Sequence, residues 1–177
     1  MRARKVSPEV FYADEPVVRV ANADISDLVA EAVPMPRKRS RLCTHRGVDD
    51  ALHEMLIVHH RDAYVRPHRH IGKAESMHVI QGETDLVLFD DAGGITECIR
   101  LGEFSSGHPF YYRMSDPVYH ALIIRSEWLV FHEVTSGPLR REESEFAPWG
   151  PPDADEAAVA AFLRRVESGL AKLRIAK

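Results

Sequence analysis

The stretch Tyr64-Val65-Arg66-Pro67-His68-Arg69-His70-Ile71-Gly72-Lys73-Ala74-Glu75-Ser76-Met77-His78-Val79-Ile80-Gln81-Gly82 decides how this chain is read. Two histidines stand one residue apart, a carboxylate follows a short polar turn, and a glycine closes a short apolar run. Side chains at i and i+2 of a strand leave on one face, so His68 and His70 are expected to point together. A turn at Ile71-Gly72-Lys73-Ala74 brings the chain back and presents Glu75 beside them. Two imidazoles and one carboxylate converging from neighbouring strands suit one first-row transition metal ion: Fe, Mn, Ni, Cu or Zn. Pro67 also fits the edge of a plain surface hairpin. The His-x-His, carboxylate and glycine spacing is hard to meet by accident.

On either side of this stretch the chain reads as short strands. His53 to His60 is apolar in its middle, at Met55, Leu56, Ile57 and Val58. Met77 to Ile80 and Asp85 to Phe89 follow, with a turn at Gly82-Glu83. Asp90-Asp91-Ala92-Gly93-Gly94 is a strong turn signal before Ile95 to Ile99. Phe110 to Met114, Tyr119 to Ile124 and Trp128 to Val134 complete the set. Many short strands with glycine-containing turns argue for a closed or double-sheet all-β fold. Upstream, Val17 to Val20 reads as a short strand. Asp24 reads as the N-cap of a helix carrying Ile25, Leu28, Val29, Ala32 and Val33, stopped by Pro34 and Pro36. Downstream, Pro148-Trp149-Gly150-Pro151-Pro152 reads as a linker. Asp153 or Asp155 then opens a helix with Val159, Phe162, Leu163, Val166, Leu170 and Leu173 on one face. That face must cover either the barrel or another subunit.

The spacing His68-x-His70, four residues, Glu75, six residues, Gly82 resembles the first motif of the cupins. Cupins take a further histidine from a second motif, and the resemblance places His120 there, in Ser115-Asp116-Pro117-Val118-Tyr119-His120. This second motif departs from the pattern: Ser115, Pro117 and Ile124 stand where proline, glycine and asparagine are usual. Pro36-Arg37-Lys38-Arg39, His45, Tyr64-Val65 and Glu133-Val134-Thr135-Ser136-Gly137-Pro138 look like the WbuC-type cupin-fold metalloproteins associated with bacterial surface-polysaccharide gene clusters. The resemblance implies a single cupin (double-stranded β-helix, or jelly-roll) barrel with a short N-terminal helix and a C-terminal amphipathic helix. It implies metal ligands His68, His70, Glu75 and His120, and a homodimer. The expected organisation is an N-terminal arm over residues 1–36, the barrel over 37–139, and a linker and helix over 140–177, in one structural domain.

The resemblance also marks Arg37, Arg39, His45 and Glu133 as substrate-binding candidates. Tyr64 and Arg66 share the parity of His68 and can line the same pocket. An arginine fork suits a carboxylate or phosphate. His78 has the opposite parity to Glu75 and is read as structural. His53 and His108 are read as surface or turn residues. Of His132 and Glu133 only one can face inward, and Glu133 is the one the family pattern favours.

The bulk numbers bound the function. A chain of 177 residues holds one domain with a substantial core. At 45% apolar and 28% charged it has an ordinary globular composition. A net charge of −4, with basic residues clustered only at Arg37-Lys38-Arg39-Ser40-Arg41, argues against a nucleic-acid partner; that cluster suits a phosphate or a sugar acid as well as it suits a solvated segment before a strand. Cys43 and Cys98 form no disulfide framework or zinc motif. No apolar run reaches membrane-spanning length and no signal-peptide core follows the basic start, so no membrane partner and a cytoplasmic location are expected. Three histidines and one glutamate leave open positions on an octahedral metal, as chemistry requires. The expected function is a metal-binding cupin acting on or recognising a small polar molecule, a carbohydrate or an oxygen-rich acid in bacterial surface-polysaccharide metabolism. As an enzyme it would be a metal-dependent oxygenase or a sugar isomerase or epimerase. The alternative is a non-catalytic, metal-dependent sensor or accessory protein.

Overall fold

Cross-strand register, more than the length of any strand, sets this architecture. The structure, a computed structural model, describes residues 2–175. One sheet has seven strands in the order β1 (Ala3–Ser7), β2 (Val10–Ala13), β3 (Arg39–Cys43), β4 (Leu52–His60), β11 (Trp128–Ser136), β6 (Glu75–Gln81) and β9 (Tyr111–Met114). The other has five, in the order β12 (Ser144–Phe146), β5 (His68–His70), β10 (Tyr119–Ile124), β7 (Glu83–Phe89) and β8 (Ile95–Gly102). All these neighbours pair antiparallel except β2 and β3, which run parallel.

The period-2 alternation of each strand gives each sheet an inner and an outer face. Between the sheets, Ile57, Met77 and Phe131 pack with Leu86, Leu122 and Ile124 as one buried core. Outside the seven-stranded sheet, Leu42, Val58 and Val130 are covered by α1 (Asn22–Ala32) through Leu28 and Ala32. Outside the five-stranded sheet, Val87, Phe89 and Ala121 are covered by α2 (Glu156–Ile175) through Phe162, Val166 and Leu170. The apolar face of the C-terminal helix therefore covers the barrel itself. Burying each of the larger side chains among these contributes roughly 1.5–3 kcal/mol. The result is an all-β barrel flanked by two helices, the cupin architecture.

The structure differs from the sequence expectation in local ways. Val17–Val20 form no strand; the N-terminal strands are β1 and β2, whose charged Arg4 and Lys5 mask an edge hairpin. Asp24 sits inside the first turn of α1 and not before it, where its carboxylate accepts the Ala21 backbone N–H at 2.8 Å. The charged stretch after Pro138 contains β12, which pairs with β5. Gly82 turns β6 into β7 with φ of +87°, and a Cβ there would run into Ser126 Oγ and the Trp128 carbonyl. Among the described residues no helix is long and apolar enough to cross a membrane.

Candidate metal centre

β5 is only three residues long, yet it carries two members of the cluster, with a third from its neighbour β10. His68 stands opposite His120 of β10 on one side and Phe146 of β12 on the other, and His70 stands opposite Ser144. Glu75 opens β6 in the facing sheet, with Met114 and Thr135 as its register partners. The four side chains His68, His70, Glu75 and His120 each offer a ligand atom, and these atoms all lie within 4.8 Å of one another. Glu75 and His120 are buried, and the two β5 histidines are partly exposed.

Bonds behind the cluster orient it. His68 Nδ1 lies 2.9 Å from the Arg66 carbonyl and His120 Nδ1 lies 2.9 Å from the Val118 carbonyl. A carbonyl only accepts, so both Nδ1 atoms carry the proton and both Nε2 lone pairs are left free. His70 Nδ1 meets Ser144 Oγ at 3.1 Å, and its Nε2 meets Glu75 Oε2 at 2.9 Å. The Ser144 hydroxyl can donate or accept, so it serves either tautomer of His70. The Tyr112 hydroxyl donates to Glu75 Oε1. Outer partners of this kind fix ring orientation and tautomer in metal sites.

Electrostatics favour a neutral-imidazole, charged-carboxylate set. Burial, then the neighbouring His120, pushes His68 down to about 4. Burial pushes Glu75 up, but the hydrogen bond from His70 and the fields of His120 and His68 outweigh it and hold the carboxyl below its usual range. Burial, then the Glu75 charge, raises both Tyr112 and Glu133, so Glu133 leans to its neutral form while Glu75 is ionised. Deprotonated carboxylate and neutral imidazole are the forms a metal binds. The donor set fits a borderline first-row ion and disfavours Mg or Ca, which prefer oxygen shells.

The cluster opens on a cleft with two lobes of about 330 and 320 Å³, and Arg37, Arg39, Arg41, His68, Glu75 and Glu133 line both. His45 lines one lobe, buried, with its ring stacked on His53 at 4.2 Å. Glu133 faces inward, while His132 points away toward Glu54 at 3.8 Å. Arg66 lines one lobe and donates Nε–H to the Gly150 carbonyl. Tyr64 lies outside the cleft: its hydroxyl donates to the Pro151 carbonyl and its ring packs on Phe162 of α2. His53, expected at the surface, is only 5% exposed, because β4 runs through the middle of the sheet. His78 is exposed, as its parity predicts.

Sequence reasoning gives no role at the site to His59, Tyr112 or Ser144, and it reads Arg41 only as part of the basic run Arg37-Lys38-Arg39-Ser40-Arg41. The alternation Arg39-x-Arg41 is a usable signal, since period 2 on β3 puts both on one face, while Arg37 stands before the strand. Tyr112 and Ser144 lie 37 and 74 residues from their partners, and nothing local marks them.

The model of a family described as a domain of unknown function (DUF6016) matches residues 20–101, which takes in His68, His70 and Glu75 and stops short of His120. A search of curated proteins finds no match to the chain. Among solved structures, protein SO0799 from Shewanella oneidensis is similar with a TM-score of 0.54 at 10% identity, over 72% of this chain and 85% of that one. L-ribose isomerase from Cellulomonas parahominis, in complex with L-psicose, is similar with a TM-score of 0.50 at 17% identity, over 68% of this chain and 73% of that one. At such identities the likeness is one of fold, and the fold these chains share is the cupin barrel.

Proposed function

We propose that this chain is a metal-dependent cupin that acts on a small polar molecule, a carbohydrate or an oxygen-rich acid. The observation that carries the reading is the convergence of His68, His70, Glu75 and His120 within 4.8 Å at the floor of a cleft. Four protein ligands leave exchangeable positions on an octahedral ion, and a bound ion there would supply Lewis-acid or redox chemistry. The residues around it have separate tasks. Ser144 and the Arg66 and Val118 carbonyls orient the imidazoles, and Tyr112 holds Glu75. Glu133 faces the cleft, where its carboxyl can hydrogen-bond a ligand hydroxyl. A role in bacterial surface-polysaccharide metabolism is supported by the likeness of the Arg37–Arg39, His45 and Glu133–Pro138 segments to WbuC-type proteins.

Metal analysis by inductively coupled plasma mass spectrometry, on the untagged protein and on His70→Ala, tests the reading. About one equivalent of Fe, Mn, Ni, Cu or Zn in the parent and a marked loss in the variant is the expected result. Parent protein that neither carries nor takes up metal would overturn it. Turnover of sugars or hydroxy acids by the loaded parent supports an enzyme; a ligand that binds and is recovered unaltered supports a binding protein.

A further inference from the structure

Three arginines alternate along the lead into β3, and their partners are unequal. Arg37 lies 3.2 Å from Asp153 and 3.7 Å from Glu9, and Arg39 lies 3.4 Å from the same Glu9. Arg41 has no hydrogen bond or ion pair for its guanidinium among the described residues. The three guanidinium groups of this row therefore share two carboxylate partners, Glu9 and Asp153, and neither pairs with Arg41. Glu75 and Glu133 also line the cleft, but neither forms an ion pair with Arg41, and Glu75 belongs to the metal cluster.

The position of Arg41 is equally informative. It lies on an interior strand, in register with Val10 of β2 and Ile57 of β4, and the same row continues to Phe131 and Val79. Those cross-strand neighbours all belong to the inner core or pack against it. An apolar side chain at Arg41 would extend that core and close this end of the barrel. Arginine keeps it open and lines both lobes. Across the sheet from Arg39, His59 is 7% exposed, lines the same lobe, and has an Nδ1 without a hydrogen-bond partner. A lobe of about 330 Å³ is at the small end of ligand sites, room for one hexose-sized molecule and not for a glycan chain.

We infer that the cleft takes a small anion, whose carboxylate or phosphate is held by the Arg41 fork while its hydroxyl oxygens face the His68–His70–Glu75–His120 cluster. Arginine binds either oxyanion bidentately. This deepens the metal-dependent reading and rests on it for the second half of the contact.

Isothermal titration of the metal-loaded protein with D-gluconate, D-glucose 6-phosphate and neutral D-glucose tests the inference on one carbon skeleton. At least one anion is expected to bind at least 10-fold more tightly than glucose, and which one it is separates carboxylate from phosphate. Arg41→Gln should lose at least 10-fold of that binding and keep its metal, because Arg41 is exposed and outside the ligand set. Arg46→Gln, an exposed arginine away from the cleft, controls for net charge and should bind as the parent does. Glucose binding as well as both anions, no binding of either anion to protein holding one equivalent of metal, or unchanged binding in Arg41→Gln would each overturn it. Protein that takes up no metal sinks the proposed function separately, and comparing Arg41→Gln with the metal-free parent still decides whether Arg41 holds an anion.

Discussion

Each imidazole of the cluster is steered by the nitrogen that faces away from it. For His68 and His120 that partner is a backbone carbonyl, which no substitution removes; for His70 it is the hydroxyl of Ser144 at 3.1 Å. Ser144→Ala should therefore weaken metal binding by about 10-fold, the low end for loss of such outer contacts, while the fold stays intact. Chelator competition measures this, and an unchanged affinity would show that strand pairing alone orients His70. Tyr112→Phe keeps the ring and deletes the hydroxyl on Glu75, and a similar loss is expected from it. His59 makes a different prediction. Burial, with Arg37 and Arg41 adding to it, pushes its pKa down to about 3. The unfolded chain, with a value near 6.5, binds a proton that the folded site refuses. Stability is then lost as pH falls from about 6.5 toward 3, by about 2 kcal/mol at pH 5 for this residue alone. His59→Gln should flatten the fall in urea-unfolding free energy between pH 7 and 5 by about that amount. Parallel profiles for parent and variant would mean that His59 does not titrate on unfolding.

At the scale of the element, turns and registers decide where these side chains go. Gly82 is required by its positive φ and by the close approach of Ser126 and Trp128. Gly82→Ala should cost about 2–3 kcal/mol in denaturant unfolding. Gly47→Ala, where a Cβ meets nothing within 4 Å, should be close to neutral. The hairpin that Gly82 closes was legible because its information is local: the His-x-His pair, the turn, Glu75 and Gly82 all lie within one short stretch. The barrel strands from β4 to β11 were legible for the same reason, as short runs separated by polar, glycine or proline turn signals. The rest depends on pairing across the chain. β12 carries Glu145, which binds Arg69 and Tyr119, so a stretch that reads as a charged linker is a strand whose charges have partners. β1 holds the sheet edge with exposed basic residues, which give no apolar alternation to read, and β2 is an apolar run of only four residues. The inward turn of Arg41 follows only from its register against Ile57.

Over the whole molecule, the cluster joins the two sheets. His68, His70 and His120 come from the five-stranded sheet and Glu75 comes from the seven-stranded one. Elsewhere the sheets are held by side-chain packing between their inner faces, and each outer face is held by a helix. A metal bound as proposed would therefore be a cross-link between layers as well as a reactive centre. It also replaces the direct His70–Glu75 hydrogen bond, so its removal leaves the sheets in contact rather than separated. The barrel should then survive chelation in a folded but less stable form. An ion at 100 times its dissociation constant adds about 2.7 kcal/mol, or about 5–10 °C in Tm for a domain of this size. Thermal melts of metal-loaded and chelator-treated protein should differ by that much, and His70→Ala should show little difference between the two conditions. Wild-type protein melting at the same temperature with and without metal would place the ion outside the folded core, and the inter-sheet cluster would then need a purely structural explanation.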